Sequence, residues 1–507
     1  MKTRKKMQAM NPYLPLYEYV PDGEPRVFDG RVYIYGSHDL AGGEKYCMGN
    51  YVTWSAPVDN LAEWRYEGEI YKRTQDPSNK NNQMELWAPD VVRGKDGKFY
   101  MYYCCSFNPE IGVAISDSPA GPFTFYGHVR YPKSILNGKT LHEGFPFDPG
   151  VLVDDDGRCY LYYGFSPAQK KKLPPKEELM EAGMSEKEAE AQLIKLKNIE
   201  FSKGAMVVEL EEDMLTVKEK PKMLIPGGLT AMGTDFEGHG FFEASSIRKY
   251  NNTYYFIFSS QLSHELCYAT SKYADHGFEY GGTIISNGDI GYRGNQIPKG
   301  MMGNNHGSII NINGEWYVFY HRQTHGTESS RQGCAEKIII QKNGKIPQVE
   351  MTSCGLNGAP LEAKGVYSSA IACNLICNEN KVKINYGQSL KSVQPYIFES
   401  QTENAEEKTE HYIANMKKGD IAGYKYFNCE DVQEIRVCIR GKADGEIKIF
   451  LDEEKKLEAG SISVNTTSES WQYNSIKVQI PNGIHPIFIE YTGGNAIDFK
   501  EFAFCKK

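Results

Sequence analysis

Short strands of alternating apolar and polar residues, rich in tyrosine, recur along the first two thirds of the chain. Five copies begin at a tight polar turn: DGRVYIY from Asp29, DGKFYMYY from Asp96, DGRCYLYY from Asp156, NNTYYFIF from Asn251 and NGEWYVFY from Asn313. Another short apolar run precedes each turn. Each copy therefore predicts a β-hairpin, because an Asx-Gly type of turn between alternating strands is a strong hairpin signal.

The spacing of these hairpins predicts a repeat fold. Three of the four steps between tyrosines in register are close to about 60 residues, the size of a four-stranded unit. The longer third step contains a charged stretch that predicts a short helical insertion near 172–200, with a capping box at Ser185 and Glu188. Five all-β units of this size predict a five-bladed β-propeller over 1–345. The tyrosines in register are Tyr33, Tyr100, Tyr160, Tyr255 and Tyr317.

Alternation continues in the last third of the chain, but without this repeat. The short strands YKYF, EIRVCIRG, EIKIFLD, SIKVQI and PIFIEY lie between residues 390 and 507 and predict a β-sandwich of the jelly-roll type. A connecting segment is predicted over 346–389. The expected fold class is all-β, with a five-bladed propeller followed by a β-sandwich.

One ionisable residue lies 10 to 12 residues before each tyrosine in register. Innermost strands line the channel of a propeller, so equivalent positions of all blades meet at one end of its axis. Clustered carboxyl groups raise one another's pKa values, which favours a role in catalysis or in cation binding. Two carboxyls with separated pKa values suit glycoside hydrolysis, and a divalent-cation site is the competing interpretation. The five residues are Asp22, Asp90, Asp148, Glu243 and His306.

The first 350 residues resemble glycoside hydrolase family 43. The likeness is carried by NPYLPLYEYVPDGEPRVF, YIYGSHD, ELWAPDVV, FDPGVLVDDDGRCYLYYG and FFEASSIRKYNNTYYFIFSS. The resemblance implies a five-bladed propeller that hydrolyses glycosides with inversion. It implies Asp22 as the general base, Glu243 as the general acid, and Asp148 as the residue that raises the pKa of the acid and orients it. Inversion would place the base and the acid roughly 6.5 to 9.5 Å apart.

Other residues are candidates for binding the substrate or an ion. We expect Trp87 and Phe242 to offer apolar platforms to a sugar ring, although each also suits the core. Asp90 is expected to contact the substrate. Arg331 matches an arginine that holds the substrate in some members of the family, and His306 matches an axial histidine associated with calcium. The resemblance implies no cofactor for the chemistry, with calcium in the channel or the sandwich domain as an optional component.

The last third of the chain resembles a family 6 carbohydrate-binding module, from KKGDIAGYKYFNCEDVQEIRVCIRG through SESWQYNSIKVQI to NAIDFKEFAF. The resemblance implies that Tyr424 and Trp471 sandwich a sugar and that Asn495 is their polar partner. The alternative is that these aromatic residues close the core of the sandwich, and that the domain packs on the propeller as a structural unit.

Composition and charge narrow the range of partners. A net charge of −8 without clustered basic residues argues against nucleic acid and against an anionic membrane. An oligosaccharide remains as the expected partner. The twelve cysteines include no C-x-x-C pair, which indicates reduced thiols, and no apolar run suited to a signal peptide follows the basic start. We therefore expect the protein in the cytoplasm.

The sequence predicts an inverting, exo-acting glycoside hydrolase that releases arabinofuranose or xylose from plant-derived oligosaccharides, as in xylan degradation. Two alternatives remain open: another exo-glycosidase on the same scaffold, such as a galactosidase, and a non-catalytic sugar-binding propeller. The carboxyls Asp22, Asp148 and Glu243 argue against the second alternative, since sugar binding alone needs no separated acid and base.

Overall fold

Nearly all regular elements of the protein are β-strands. The computed structural model describes residues 7–43, 45–106, 108–136, 145–168, 175–181, 184–198, 201–378, 394–400 and 409–506. Between residues 24 and 338 the strands form five consecutive antiparallel sheets, which are the blades of the predicted propeller.

Blades I to IV are four-stranded meanders, and blade V has three strands. Blade I comprises β1 (Glu24–Phe28), β2 (Arg31–Tyr35), β3 (Tyr51–Pro57) and β4 (Arg65–Tyr71); blade II comprises β5 (Leu86–Arg93), β6 (Phe99–Cys105), β7 (Ile111–Ser116) and β8 (Thr124–His128). Blade III comprises β9 (Gly150–Val153), β10 (Cys159–Tyr163), β11 (Gly204–Leu210) and β12 (Lys222–Pro226). Blade IV comprises β13 (Phe241–Tyr250), β14 (Thr253–Ser260), β15 (Glu265–Ser271) and β16 (Glu279–Ser286), and blade V comprises β17 (Ser308–Ile312), β18 (Glu315–Gln323) and β19 (Arg331–Ile338).

Helices are few and short among the described residues. The α-helices are α1 (Lys133–Leu136), α2 (Lys176–Glu181) and α3 (Glu186–Asn198). Single 3-10 turns occupy Arg73–Gln75, Pro77–Asn79, Asn287–Asp289, Tyr292–Gly294, Gly355–Asn357 and Ser369–Ile371. None of the described helices has the length and apolar character needed to cross a bilayer.

Turn chemistry explains the hairpin that opens blade I. Phe28 pairs with Arg31, which leaves a two-residue turn at Asp29 and Gly30. Both turn residues have positive φ, 47° and 76°, as a type I′ turn requires. The Asx-Gly signal in the sequence therefore predicted this hairpin for the correct physical reason.

The five innermost strands form a closed ring around the axis. Consecutive inner strands β1, β5, β9, β13 and β17 contact one another, and β17 returns to β1. The start of the chain lies against the outer strand of the three-stranded blade V. There Tyr13 N–H donates to the carbonyl of Gly333 (3.2 Å), and Ala335 N–H donates to Asn11 Oδ1 (2.9 Å). This contact closes the propeller and leads the chain directly to Asp22.

The predicted insertion lies between β10 and β11 and contains α2 and α3. Its capping box forms as predicted, since Ser185 N–H donates to Glu188 Oε2 (2.8 Å) and Glu188 N–H donates to Ser185 Oγ (3.4 Å). Residues 169–174, 182–183 and 199–200 of the insertion lie outside the described residues.

Two six-stranded sheets form the second domain, consistent with the predicted sandwich. One has the order β20-β25-β30-β27-β28 with β22 beside β25, and the other has the order β23-β24-β31-β26-β29 with β21 beside β31. The strands are β20 (Leu361–Glu362), β21 (Gly365–Ser368), β22 (Asn374–Ile376), β23 (Tyr396–Glu399), β24 (His411–Met416), β25 (Asp420–Cys429), β26 (Val432–Gly441), β27 (Ala443–Phe450), β28 (Glu458–Thr466), β29 (Gln472–Lys477), β30 (Gly483–Tyr491) and β31 (Ile497–Lys506).

The segment predicted as a connection, 346–389, takes part in these sheets. Its strands β20 and β22 pair with β25, and β21 pairs with β31. Side chains of both sheets share one apolar core, which includes Phe427, Ile435 and Phe502. The sandwich therefore begins earlier in the chain than the alternation of residues predicted.

Candidate active site

Three carboxyl groups meet at one end of the propeller axis. Asp22 and Asp148 each lie two residues before an inner strand, β1 and β9, and Glu243 lies within β13. All three residues are buried, with exposed fractions of 5%, 4% and 9%. Their charges influence one another's pKa values, so the structure brings together the three carboxyls that the sequence singled out.

Asp22 contacts two basic residues, and Arg331 is the stronger influence on its charge. Arg331 Nη1 donates to Asp22 Oδ1 (2.9 Å), and His321 Nδ1 lies 3.2 Å from the same oxygen. Burial by itself would raise the pKa of Asp22, but Arg331 and then His321 outweigh it and hold the pKa well below its usual range. Asp22 is therefore ionised at neutral pH.

Arg331 is fixed from the side opposite Asp22. Its Nε and Nη2 donate to the two oxygens of Asp39 (2.8 and 3.0 Å), a bidentate pair, and the ring of Tyr46 lies 4.7 Å from the guanidinium carbon. The backbone N–H of Cys47 donates to Asp39 Oδ1 (2.8 Å). The resemblance implied that Arg331 holds the substrate; in the structure it contacts Asp22 and Asp39.

Glu243 has the opposite electrostatic environment. Burial and then the negative charge of Asp22 raise the pKa of Glu243 to about 8. Burial and the charges of Glu243 and Asp22 also raise the pKa of Asp148. Asp148 Oδ2 accepts a hydrogen bond from the backbone N–H of Ala244 (3.1 Å), the residue after Glu243. The pKa values of Asp22 and Glu243 are thus separated in opposite directions, as a base and an acid that act at the same pH require.

The inner strands do not carry their ionisable residues in one register. Asp90 pairs with Tyr102 as Glu24 pairs with Tyr35, so Asp90 corresponds to Glu24 rather than to Asp22. The turn between β5 and β6 spans five residues and the turn between β1 and β2 spans two, so a similar count back from the two tyrosines reaches different registers. A β-bulge between Trp87 and Asp90 lies on the side of Asp90 away from this turn. Similar irregularities flank Glu243 in β13.

Asp90 lies deeper in the channel, in a buried ion pair. Arg26 donates from Nε to Asp90 Oδ1 (2.9 Å) and from Nη2 to Oδ2 (2.5 Å), and Val151 N–H donates to Oδ2 (2.8 Å). Beside it, Arg248 Nη2 donates to Glu24 Oε2 (2.7 Å). Both oxygens of Asp90 are occupied and the residue has no exposed surface. The predicted contact of Asp90 with the substrate is therefore wrong.

His306 reaches the carboxyl site, as its position in the repeat predicted. Its Nδ1 lies 3.5 Å from Asp148 Oδ2 and 3.8 Å from Asp22 Oδ1, and burial lowers its pKa to about 4, so the ring is neutral. Calcium takes six to eight oxygen ligands. The next carboxylates along the channel, those of Glu24 and Asp90, are paired with arginines. The described channel residues do not fit a calcium ion, and we derive no step through one.

Trp87 and Phe242 are the two ends of a chain of four half-buried aromatic rings. Ring centroids are 5.2 Å apart between Trp87 and Phe147, 5.0 Å between Phe147 and Phe165, and 5.2 Å between Phe165 and Phe242. Phe147 precedes Asp148 and Phe242 precedes Glu243. Phe147 and Phe165 were not predicted as site residues, although Phe147 opens the motif FDPG and Phe165 follows the third repeat strand in YYGFSP.

Two further residues of the site were missed. His321 lies in β18, within the apolar run of the fifth repeat, and is fully buried. Its Nδ1 accepts from the backbone N–H of Asp22 (3.2 Å), and its Nε2 lies 2.8 Å from the carbonyl of Asn304. Asp39 ends the segment YIYGSHD, which carried the family resemblance without a role for this carboxylate.

The second domain does not form the predicted sugar site. Tyr424 is fully buried, its ring lies 4.5 Å from that of Phe502, and its hydroxyl donates to the carbonyl of Ser369 (3.1 Å). Trp471 belongs to the edge of the other sheet, where Arg440 lies 4.3 Å from its ring. Asn495 is exposed and donates to Asp444 (2.8 Å). Tyr424 is a core residue, so the prediction that it sandwiches a sugar with Trp471 is wrong.

The chain is similar in sequence to known proteins. Residues 29–346 match the glycosyl hydrolases family 43. A "Xylosidase/arabinosidase" from Thermoclostridium stercorarium is 45% identical over 502 residues, 98% of this chain and 99% of that protein. A "Xylosidase/arabinosidase" from Bacteroides ovatus is 32% identical over 335 residues, 63% of this chain and 89% of that protein.

The fold also matches solved structures. The GH43_1 enzyme from Xanthomonas citri, in a complex with xylotriose, superposes with a TM-score of 0.51 at 23% identity, over 69% of this chain and 96% of that chain. This likeness supports the propeller fold. The match over residues 29–346 and the relative that is 45% identical lead to one conclusion: the chain belongs to glycoside hydrolase family 43 and is a glycoside hydrolase.

Proposed function

We propose that the protein is an inverting, exo-acting glycoside hydrolase that releases arabinofuranose or xylose from plant-derived oligosaccharides. One observation carries the proposal: Asp22 is hydrogen-bonded to Arg331 close to the buried Glu243, an arrangement that lowers the pKa of Asp22 and raises that of Glu243. Hydrolysis with inversion needs an acid for the leaving oxygen and a base for water on the opposite face of the sugar.

In the proposed mechanism, Glu243 donates its proton to the glycosidic oxygen as the bond between this oxygen and the anomeric carbon breaks. A water molecule attacks that carbon from the opposite face, and Asp22 accepts a proton from this water. Glu243 ends as a carboxylate and Asp22 as a carboxylic acid, and exchange with solvent restores both. Asp148 orients the acid through its hydrogen bond to Ala244. No cofactor takes part in these steps.

The choice of sugars rests on the relatives. The two relatives described above share the name "Xylosidase/arabinosidase", and one of them matches nearly the whole length of the chain. The aromatic chain between Trp87 and Phe242 would offer apolar surface to a sugar face. We place the enzyme in the cytoplasm, acting on imported oligosaccharides, which is consistent with twelve cysteines that form no disulfide within the described part of the chain.

We also propose domain limits and a relationship for the second domain. The catalytic propeller would end near residue 345 and the sandwich would begin near β20. The two-sheet topology supports a likeness to family 6 carbohydrate-binding modules. Because Tyr424 is in the core, this domain would lack the aromatic pair that such a likeness implies for sugar binding.

A panel of aryl glycosides tests the proposal. The wild type is expected to cleave the α-L-arabinofuranoside or the β-D-xyloside, and Asp22→Asn and Glu243→Gln are expected to lose turnover of substrates with poor leaving groups. Asp156→Asn is the matched control, because Asp156 is exposed in a hairpin turn away from the pocket. Cleavage of galactosides alone would identify another exo-glycosidase. Sugar binding without cleavage of any glycoside would identify a non-catalytic propeller and overturn the proposal.

A further inference from the structure

The second domain contacts the propeller beside the residues that hold the general base. Ile397 N–H donates to the carbonyl of Thr324 (3.1 Å), which follows β18. Within β18, Arg322 Nη1 donates to the carbonyls of Ala372 and Cys373 (3.2 and 3.1 Å). Arg322 follows His321, one of the two basic partners of Asp22. The sandwich therefore packs against the strand that supports the catalytic site.

Tyr19 is the centre of this contact. It is 2% exposed, and its hydroxyl donates to the carboxylate of Glu399, which belongs to strand β23 of the sandwich. The Nε2 of His325 lies 2.9 Å from the same hydroxyl, and the two rings meet edge to face at 4.9 Å. His411 Nε2 approaches Glu399 Oε2 from within the second domain (3.2 Å). A buried tyrosine of the propeller thus depends on a carboxylate of the other domain.

The backbone of Tyr19 connects this cluster to the general base. Tyr19 lies three residues before Asp22, and its carbonyl accepts from the backbone N–H of Asp39 (3.0 Å). Asp39 holds Arg331 by two hydrogen bonds, and Arg331 reaches Asp22. A displacement of Tyr19 would therefore also displace Asp22 through the short segment between them. Through Asp39 it would displace Arg331, which keeps Asp22 ionised.

The same cluster holds the loop that ends at Arg331. Thr324 and His325 open this loop, and Thr324 Oγ1 lies 2.8 Å from His325 Nδ1 and 2.8 Å from Gln332 Oε1. Gln332 directly follows Arg331. Both ends of the loop therefore meet at Thr324. Next to it, an isolated β-bridge joins His325 to Ile397 of the second domain.

We propose that Glu399 of the second domain is a positioning residue for the general base, because its contact with Tyr19 fixes the arrangement of Asp39, Arg331 and Asp22. The sandwich is thereby a required part of the catalytic unit. This role rests on the proposed hydrolase function and adds to it a residue that does not touch the substrate.

The test compares Glu399→Ala and Tyr19→Phe with Glu453→Ala. Glu453 is the matched control, since it also belongs to the second domain and pairs with Lys299 of the propeller, away from Tyr19. The substrate is the aryl glycoside that the wild type cleaves. Both test variants should lose kcat/KM by about 10- to 100-fold, mainly in kcat, as expected for a small misplacement of catalytic groups. Glu399→Gln, which retains an acceptor for Tyr19, should recover part of the loss.

The pH profile separates positioning from stability. In the test variants the acid limb of kcat/KM should move upward, because a loosened Arg331 no longer lowers the pKa of Asp22 as strongly. The alkaline limb, which depends on Glu243, should not move. Tyr19→Phe keeps the ring in the core, so it tests the inference even where Glu399→Ala folds poorly.

Three results would overturn the inference. Wild-type kcat, KM and acid limb in folded Glu399→Ala and Tyr19→Phe would leave Glu399 with a structural role only. An equal loss in Glu453→Ala would indicate general loosening of the two domains. No turnover of any glycoside by the wild type would instead remove the proposed function, and the role of Glu399 with it.

Discussion

Glu243 is expected to determine the alkaline limb of activity. Burial and then the charge of Asp22 raise its pKa from an ordinary 4.5 to about 8. The general acid acts in its protonated form, so kcat/KM should be at its maximum below this pH and should fall as the pH rises through about 8. Since Arg331 and His321 keep the pKa of Asp22 well below its usual range, the base stays ionised throughout this interval.

Replacement of Glu243 by glutamine makes this expectation quantitative. General acid catalysis contributes about 10²- to 10⁴-fold where the leaving group needs a proton. A phenyl glycoside, whose leaving group has a pKa of about 10, should therefore lose that factor in Glu243→Gln. The leaving group of a dinitrophenyl glycoside is a stable anion that needs no proton, so kcat/KM for this substrate should fall by less than about tenfold.

Steady-state kinetics from pH 5 to 10 on both substrates provide the assay. The wild type should show an alkaline limb near pH 8 with the phenyl glycoside, and Glu243→Gln should show none with the dinitrophenyl glycoside. Thermal melting of the variant checks that the fold is intact. Equal losses on the two substrates, or an unchanged alkaline limb in Glu243→Gln, would refute the assignment of Glu243 as the acid.

Four further predictions follow from contacts in the two domains. Asp39→Asn should lower kcat/KM by about 10- to 100-fold in steady-state assays, because it weakens the bidentate hold on Arg331; wild-type kinetics would contradict this role. Arg26→Met should lower the free energy of unfolding by about 3 to 5 kcal/mol in urea titrations, because it leaves Asp90 buried without its partner. Dialysis against EDTA should leave wild-type activity unchanged, and loss of activity to EDTA would show that the channel holds a metal. Tyr424→Phe should cost about 1 kcal/mol of stability through its lost hydroxyl bond and leave oligosaccharide affinity unchanged by calorimetry, and weaker sugar binding would restore Tyr424 as a ligand residue.

The repeat made the propeller predictable from sequence. Turn chemistry and alternation are local signals, and Asp29 with Gly30 shows both in one hairpin. The same repeat pointed to Asp22, Asp148 and Glu243, because residues before inner strands converge at the axis.

The register inside each blade was not predictable in the same way. The count of residues placed Asp90 beside Asp22, but Asp90 lies two positions beyond the partner of Tyr100, whereas Asp22 lies four positions beyond the partner of Tyr33. Asp90 therefore lies beside Arg26 and forms an ion pair with it. The hairpin turns differ in length, and an alternating pattern does not reveal where a turn ends and pairing begins.

Contacts between distant segments account for the other differences. Asp39 and His321 stand about 280 residues apart in sequence, and only the closed ring of blades brings both beside Arg331 and Asp22. The family resemblance implied Tyr424 as a sugar ligand, yet its side chain belongs to the core between the two sheets. Single-segment patterns cannot show which sheet face becomes the core when two sheets are packed together.

The stereochemistry of the first product tests the assignment of Asp22 and Glu243 as base and acid most directly. Proton NMR of the wild-type reaction on an aryl arabinofuranoside or xyloside, recorded before mutarotation, shows which anomer forms first. Asp22 acting on water through an ionised carboxylate predicts the inverted anomer, with base and acid roughly 6.5 to 9.5 Å apart. Initial release of the anomer with retained configuration would contradict this mechanism and indicate that a carboxylate attacks the sugar itself.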